Sequence, residues 1–147
     1  MYYSTKHYPH DRGLSIAYRN HKAESHCKFL HGYALAITFT FAAEELDRSG
    51  FVVDFGGLKS LWAMLENTFD HKLLVAEDDP AIPTLLELDE KGLAEIVLVP
   101  AVGCEAWAEL IFQVATQWMK DAGFYPRATI VKVEVAEHTA NSAMVTP

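Results

Sequence analysis

The chain has only two cysteines, Cys27 and Cys104. Two thiols so far apart do not make a disulfide framework, so nothing points to an oxidising compartment. No run of eighteen or more apolar residues occurs, which excludes a membrane-spanning helix. Met1 to His7 lack the basic-then-apolar layout of a secretion signal. The expectation is a cytoplasmic protein with no membrane partner. Basic residues are also scarce, with 12 Lys and Arg against 20 Asp and Glu and a net charge of −8. A general nucleic-acid binder needs a basic face to neutralise phosphates, so that class is excluded. A small anionic ligand is not, because a few local cations suffice for it. There is no internal repeat, low-complexity tract or long linker. A length of 147 residues, half of them hydrophobic, suits one domain covering 1–147.

What is present is periodicity. Residues 11–19 read as a first strand. Residues 33–44 read as a second, with Tyr33, Leu35, Ile37, Phe39 and Phe41 alternating with Ala34, Ala36, Thr38, Thr40 and Ala42. One face is bulky and the other small. Arg48-Ser49-Gly50 is a turn, and Phe51 to Phe55 a short extended piece. Gly56-Gly57 opens a helix over 58–69, with Leu58, Leu61, Trp62, Leu65 and Phe69 on one stripe. Residues 77–92 read as loop plus a short helix near Leu85-Leu86, and Ile96 to Val99 as a short strand. A second long helix covers 104–121, with Trp107, Leu110, Ile111, Val114 and Trp118 on its stripe, and Gly123 stops it. Residues 128–137 alternate again, and the last residues add a final short strand. The principal order is strand, strand, helix, helix, strand, strand. That is an α+β protein, a four-stranded antiparallel sheet with two helices on one face. Such a sheet has edges that stable proteins cover or pair, so a ring-like homo-oligomer is expected.

The residues that carry chemistry are dispersed. Ser25 to Tyr33 holds Cys27, two imidazoles (His26 and His31) and Gly32, read as a turn-permitting glycine. Asp70-His71 ends the first long helix. The bland reading is a histidine at a helix C-terminus; the functional one is a carboxylate orienting an imidazole for proton transfer. Glu105 opens the second long helix, where a carboxylate also suits the free N–H groups. Glu137-x-Thr139 ends a strand and offers a carboxylate to paired N–H donors of a ligand. Asp54, before Gly56-Gly57, reads as a cap. Arg19, Lys22, Lys28 and Lys59 are candidates for an anionic ligand tail, or are solvated surface charge.

Taken in order, Cys27-x3-His31-Gly32, Val53-Asp54-Phe55-x2-Leu58-Lys59, Asp70-His71, Glu105 and Glu137-x-Thr139 form a pattern. It resembles the 6-pyruvoyltetrahydropterin synthase / 6-carboxytetrahydropterin synthase family, from about Gly13 to Ala143. The resemblance implies the tunnelling fold and a homotrimer or homohexamer with active sites between subunits. It implies a lyase acting on 7,8-dihydroneopterin triphosphate, 6-carboxy- or 6-pyruvoyl-tetrahydropterin synthase-like, and closer to the 6-carboxytetrahydropterin branch that feeds queuosine and other 7-deazaguanines. Cys27 would be the base, with Asp70 and His71 as its proton relay. Glu137 and Glu105, helped by Thr139 and Lys28, would hold a pterin or purine-like ring. The alternative is a non-catalytic pterin- or purine-binding protein.

The family also implies zinc held by three histidines. Here Tyr18 and Tyr33 stand at two of those positions and His31 at the third. A neutral phenol, with a pKa near 10, is a poor substitute for imidazole. Zinc is therefore an implied cofactor that this donor set weakens. Five of the seven histidines lie at or before position 31, and a site rebuilt from His31 with His10, His21 or His26 stays open. Trp62, Trp107 and Trp118 read as core.

Overall fold

The long strand β3, His31–Ala43, organises the molecule. In the computed structural model, which describes residues 1–12 and 14–147, two strands share one edge of β3 end to end. β1 (Tyr2–Tyr8) pairs antiparallel with Ile37–Ala43, and β2 (Leu14–Tyr18) with His31–Leu35. On its other edge β3 pairs with β6 (Ala128–His138), which pairs in turn with β7 (Asn141–Val145). The expected strand over 11–19 begins only at Leu14, because residues 10–12 form a 3-10 turn. Gly13, within that expected strand, lies outside the described residues.

The alternation in β3 does what the pattern predicts. Leu35, Ile37, Phe39 and Phe41 are fully buried and face the helices. Helix α1 (Lys59–Phe69) contributes Leu61, Leu65 and Phe69 to that core. Asp54 caps the 3-10 turn before α1, its Oδ1 accepting the Gly56 N–H at 2.9 Å. A second helix, the long one (Cys104–Asp121), contributes Trp107, Ala108, Ile111, Ala115 and Met119, and packs on β6 and β7. Its buried stripe thus runs one position round from the expected one, and Val114 faces outward. Each large apolar side chain buried this way stabilises the fold by about 1.5–3 kcal/mol. Trp107 is core, whereas Trp62 and Trp118 are half-buried at its rim.

The α+β class stands, with α1 and the long helix sharing one core on one face as expected, but the sheet has seven strands rather than four. β1 is one addition. The others are β4 (Lys72–Ala76) and β5 (Ile96–Val99), which run parallel to β2 and to each other and are joined through a helix over Ile82–Glu90. A parallel strand covered on both faces reads as an unbroken apolar run. Leu73-Leu74-Val75-Ala76 is such a run: Leu74 points into the main core, Leu73 and Val75 into a smaller cluster with Leu85. In chain order the helices are α1, α2 (Ile82–Glu90) and α3 (Cys104–Asp121). None is long and apolar enough to cross a membrane.

Candidate active site

Cys27 sits on a single 3-10 turn, His26–Lys28, started by Ser25, whose Oγ accepts the Cys27 N–H at 3.4 Å. The turn is tied back to the chain leaving β2. Asn20 N–H donates to the Cys27 carbonyl at 2.9 Å, and Arg19 Nη1 to the Lys28 carbonyl at 3.3 Å. Arg19 is itself clamped by Asp79, through Nε at 2.8 Å and Nη2 at 3.0 Å. Asp79 is the one buried charged residue among those described. The Arg19 hydrogen bonds, against the opposing effect of burial, hold its carboxyl below the usual carboxylate range. Lys22 pairs with Asp78 at 3.0 Å. Arg19 and Lys22 are thus engaged in fixing the loop that carries Cys27 rather than free for an anionic tail. Gly32 does not turn the chain. It lies in β3 opposite Ala17, where a Cβ would strike the Ile16 carbonyl oxygen.

Glu137 is aimed by a β-bulge. Ala136 pairs with Ser142 and His138 with Asn141, so Glu137 has no partner across the hairpin. Its Oε1 accepts from Asn141 Nδ2 at 3.1 Å. Glu105 projects from the first turn of α3, just after Gly103, whose φ of 108° suits glycine. Cys27, Glu105 and Glu137, remote in sequence, line one cavity of about 210 Å³ together with Tyr18, Asn20, Cys104, Asn141 and Ser142. Larger hollows of about 390 and 430 Å³ lie around Tyr3, and neither has a His or Cys in its wall.

Cys104 drew no attention in the sequence, where it looks like one more apolar position of α3. Burial beside Glu137 and Glu105 pushes its thiol up to about 11, so it is a neutral wall at physiological pH. Asn20 and Asn141 gave no signal either: one lies just after β2 and the other starts β7. Lys28 lies outside, exposed, with its ammonium 5.3 Å from the Phe29 ring centre. Thr139 lines a different hollow, about 260 Å³, with His7, His10 and His138.

Asp70 and His71 form the expected pair. The chain leaves helical geometry after Phe69, and His71 takes a φ of 55°, a conformation unfavourable for a residue with a Cβ. In return Asp70 Oδ2 lies 3.0 Å from His71 Nδ1. Asp70 Oδ1 accepts the Ser15 N–H at 2.9 Å, and His71 N–H donates to the Ser15 carbonyl at 2.7 Å. Burial opposes ionisation of Asp70, but the Ser15 N–H and the His71 ring outweigh it and hold the carboxyl low. The His71 side chain is 82% exposed. Its anchor, Ser15, and the Cys27 anchor, Asn20, are separated by five residues of roughly extended chain, so roughly 16 Å at about 3.3 Å each. Neither Asp70 nor His71 lines the cavity that holds Cys27.

Tyr18, His31 and Tyr33 do converge. Ring centres are 4.5 Å apart for Tyr18 and His31 and 5.5 Å for His31 and Tyr33. His31 Nδ1 bonds the Phe29 carbonyl at 2.7 Å, and its Nε2 is buried without a partner. Burial first, then the charge of Glu137, raises both phenols above their ordinary value. Such phenols stay neutral and donate. One imidazole and two neutral phenols do not fit zinc. Nor do the other histidines rebuild a site: His10 Nδ1 bonds the Ala34 carbonyl, His21 lies against Asp78, and His26 is exposed. Among the described residues, no three His, Cys, Asp or Glu side chains group to hold an ion.

Fold and site together define an α+β protein with a thiol and two carboxylates in one small cavity at a sheet end. The chain belongs to the 6-pyruvoyl tetrahydropterin synthase family, whose model matches residues 10–147, and it has that family's tunnelling fold. Its relatives include a 6-carboxy-5,6,7,8-tetrahydropterin synthase of Aquifex aeolicus, 25% identical over 89% of this chain and 82% of that one. Another from Rickettsia typhi is 39% identical over a stretch that spans 42% of this chain and 45% of that protein. An uncharacterized protein of Wolinella succinogenes has the same fold, with a TM-score of 0.83 at 20% identity over 99% and 97% of the two chains. A 6-pyruvoyltetrahydropterin synthase of Plasmodium vivax superposes with a TM-score of 0.67 at 15% identity over 100% and 99%.

Proposed function

We propose that this protein is a lyase acting on 7,8-dihydroneopterin triphosphate, of the 6-carboxytetrahydropterin synthase type, working as a homotrimer or homohexamer. The observation that carries the reading is the meeting of Cys27, Glu105 and Glu137 in one cavity. The two carboxylates accept hydrogen bonds from the amino and ring N–H groups of the pterin. Cys27 takes the proton from the carbon side chain of the substrate. His71 of a neighbouring copy, its ring oriented by an ionised Asp70, passes that proton on. This split assignment follows from the distance between the two parts within one chain and from the outward exposure of His71. The open sheet edges favour assembly of copies edge to edge. Tyr18 and Tyr33, kept neutral, donate to the substrate's side-chain oxygens, and no step is assigned to zinc.

A second reading, a pterin or purine binder without turnover, is favoured by those same two phenols, which supply less polarisation than a metal. Incubation with 7,8-dihydroneopterin triphosphate and mass spectrometry separates the two. The lyase reading expects a carboxy- or pyruvoyl-tetrahydropterin product, lost in Cys27→Ala with ligand affinity retained. Binding of the pterin with no product from the wild type establishes the binder instead.

A further inference from the structure

We propose that Asn141 is a positioning residue for Glu137, setting the orientation of the carboxylate that the reading above makes the ring anchor. The bulge frees Glu137 from its cross-strand neighbour, so the ladder does not hold its side chain. The cavity contains a second carboxylate, Glu105, and no Lys or Arg among its described lining residues. Two carboxylates sharing so small a space repel. A neutral donor is then what holds Glu137 in place. Asn141 supplies it: Nδ2 lies 3.1 Å from Glu137 Oε1 and 3.1 Å from His138 Nε2. The hydrogen bond goes to Glu137: His138 Nδ1 accepts the Ala140 N–H, so its Nε2 carries the ring proton and does not accept from Asn141 as well. Glu137 Oε2 is left for the ligand.

A plain turn role would not require this. The hairpin turn is Thr139-Ala140, and Asn141 already pairs opposite His138 in the ladder. The groups around Glu137 are Asn141 and His138 on its own hairpin, Tyr18 from β2, Tyr33 from β3, Cys27 from the 3-10 turn, and Cys104 and Glu105 from α3. Of these, Asn141 makes the shortest polar contact recorded to the carboxylate.

The test uses the full chain and two variants, Asn141→Ala and the isosteric Asn141→Asp. In the ligand-free protein, the Glu137 carboxyl is followed by carbon NMR. Asn141→Ala is expected to move its resonance, with the melting temperature unchanged. Calorimetry with 7,8-dihydroneopterin is expected to show binding weakened roughly fivefold or more in Asn141→Ala. Asn141→Asp is expected to bind more weakly still at neutral pH and to recover on acidification, as two adjacent carboxylates come to share a proton. An unmoved Glu137 resonance and wild-type affinity in Asn141→Ala overturn the assignment. If the wild type does not bind the pterin at all, the anchor reading fails, while the Glu137 resonance still decides the role of Asn141.

Discussion

Replacing Asp79 by alanine probes the clamp on which the Cys27 loop depends. The variant removes both hydrogen bonds from Arg19, at 2.8 and 3.0 Å, and the acceptor of the Ala81 N–H at 2.8 Å. Breaking one side of a fully buried ion pair costs about 3–5 kcal/mol. The Arg19 side chain is 26% exposed and recovers part of that from water, which brings the expectation to about 2–3 kcal/mol. For a chain of this size that is a fall in melting temperature of roughly 6–9 °C. The contribution has a pH sign. Asp79 is held below its ordinary carboxylate value, so its stabilisation is full above about pH 4 and fades as pH falls through the unfolded and then the folded value. The stability gap between wild type and Asp79→Ala should therefore narrow in acid. Urea unfolding at neutral and acid pH measures both points. Since Arg19 also holds the Lys28 carbonyl, the variant should expose Cys27 to faster alkylation in the folded state. A neutral-pH loss under about 0.5 kcal/mol, the range of an ordinary surface change, would refute the reasoning.

Other expectations follow from single contacts. Gly32→Ala drives a Cβ into the Ile16 carbonyl oxygen and forces β2 away from β3; a loss of about 1–3 kcal/mol in denaturant unfolding is expected, and a neutral result would show the strands are looser than described. Iodoacetamide at pH 8 should label Cys27 and spare Cys104, whose thiol is buried and pushed up to about 11; peptide mapping that finds Cys104 labelled first would contradict that. Glu137→Gln should weaken pterin binding by about 1–3 kcal/mol through an unpaired ring donor, read by calorimetry, and unaltered affinity would remove Glu137 from the anchor.

The parts of the fold legible in the sequence are those whose burial is one-sided and long. β3 alternates over many residues, and α1 keeps its apolar stripe, so both are where periodicity puts them. β1 was not legible because it is an edge strand with most of its side chains exposed, so Tyr2 to Tyr8 carry little inside–outside contrast. β4 hid in a short apolar run directly after a helix, too brief to distinguish strand from helix end. For the site, the ordered motifs named Cys27, Glu105 and Glu137, and the cavity contains all three. Its remaining wall was not visible because Cys104 and Asn141 acquire meaning only from what packs against them. Arg19 shows the opposite case: a cation that looked available for a ligand is committed to Asp79, a partner sixty residues away.

The most direct test of the split site mixes two variants. Cys27→Ala and His71→Ala, each expected to be inactive alone, are unfolded together, reassembled and assayed for turnover of 7,8-dihydroneopterin triphosphate. A site built from the thiol of one copy and the imidazole of the next regains both groups in some interfaces, so activity should return to roughly one quarter of wild type with random mixing. No recovery in verified mixed assemblies, with the wild type active after the same treatment, would contradict the account.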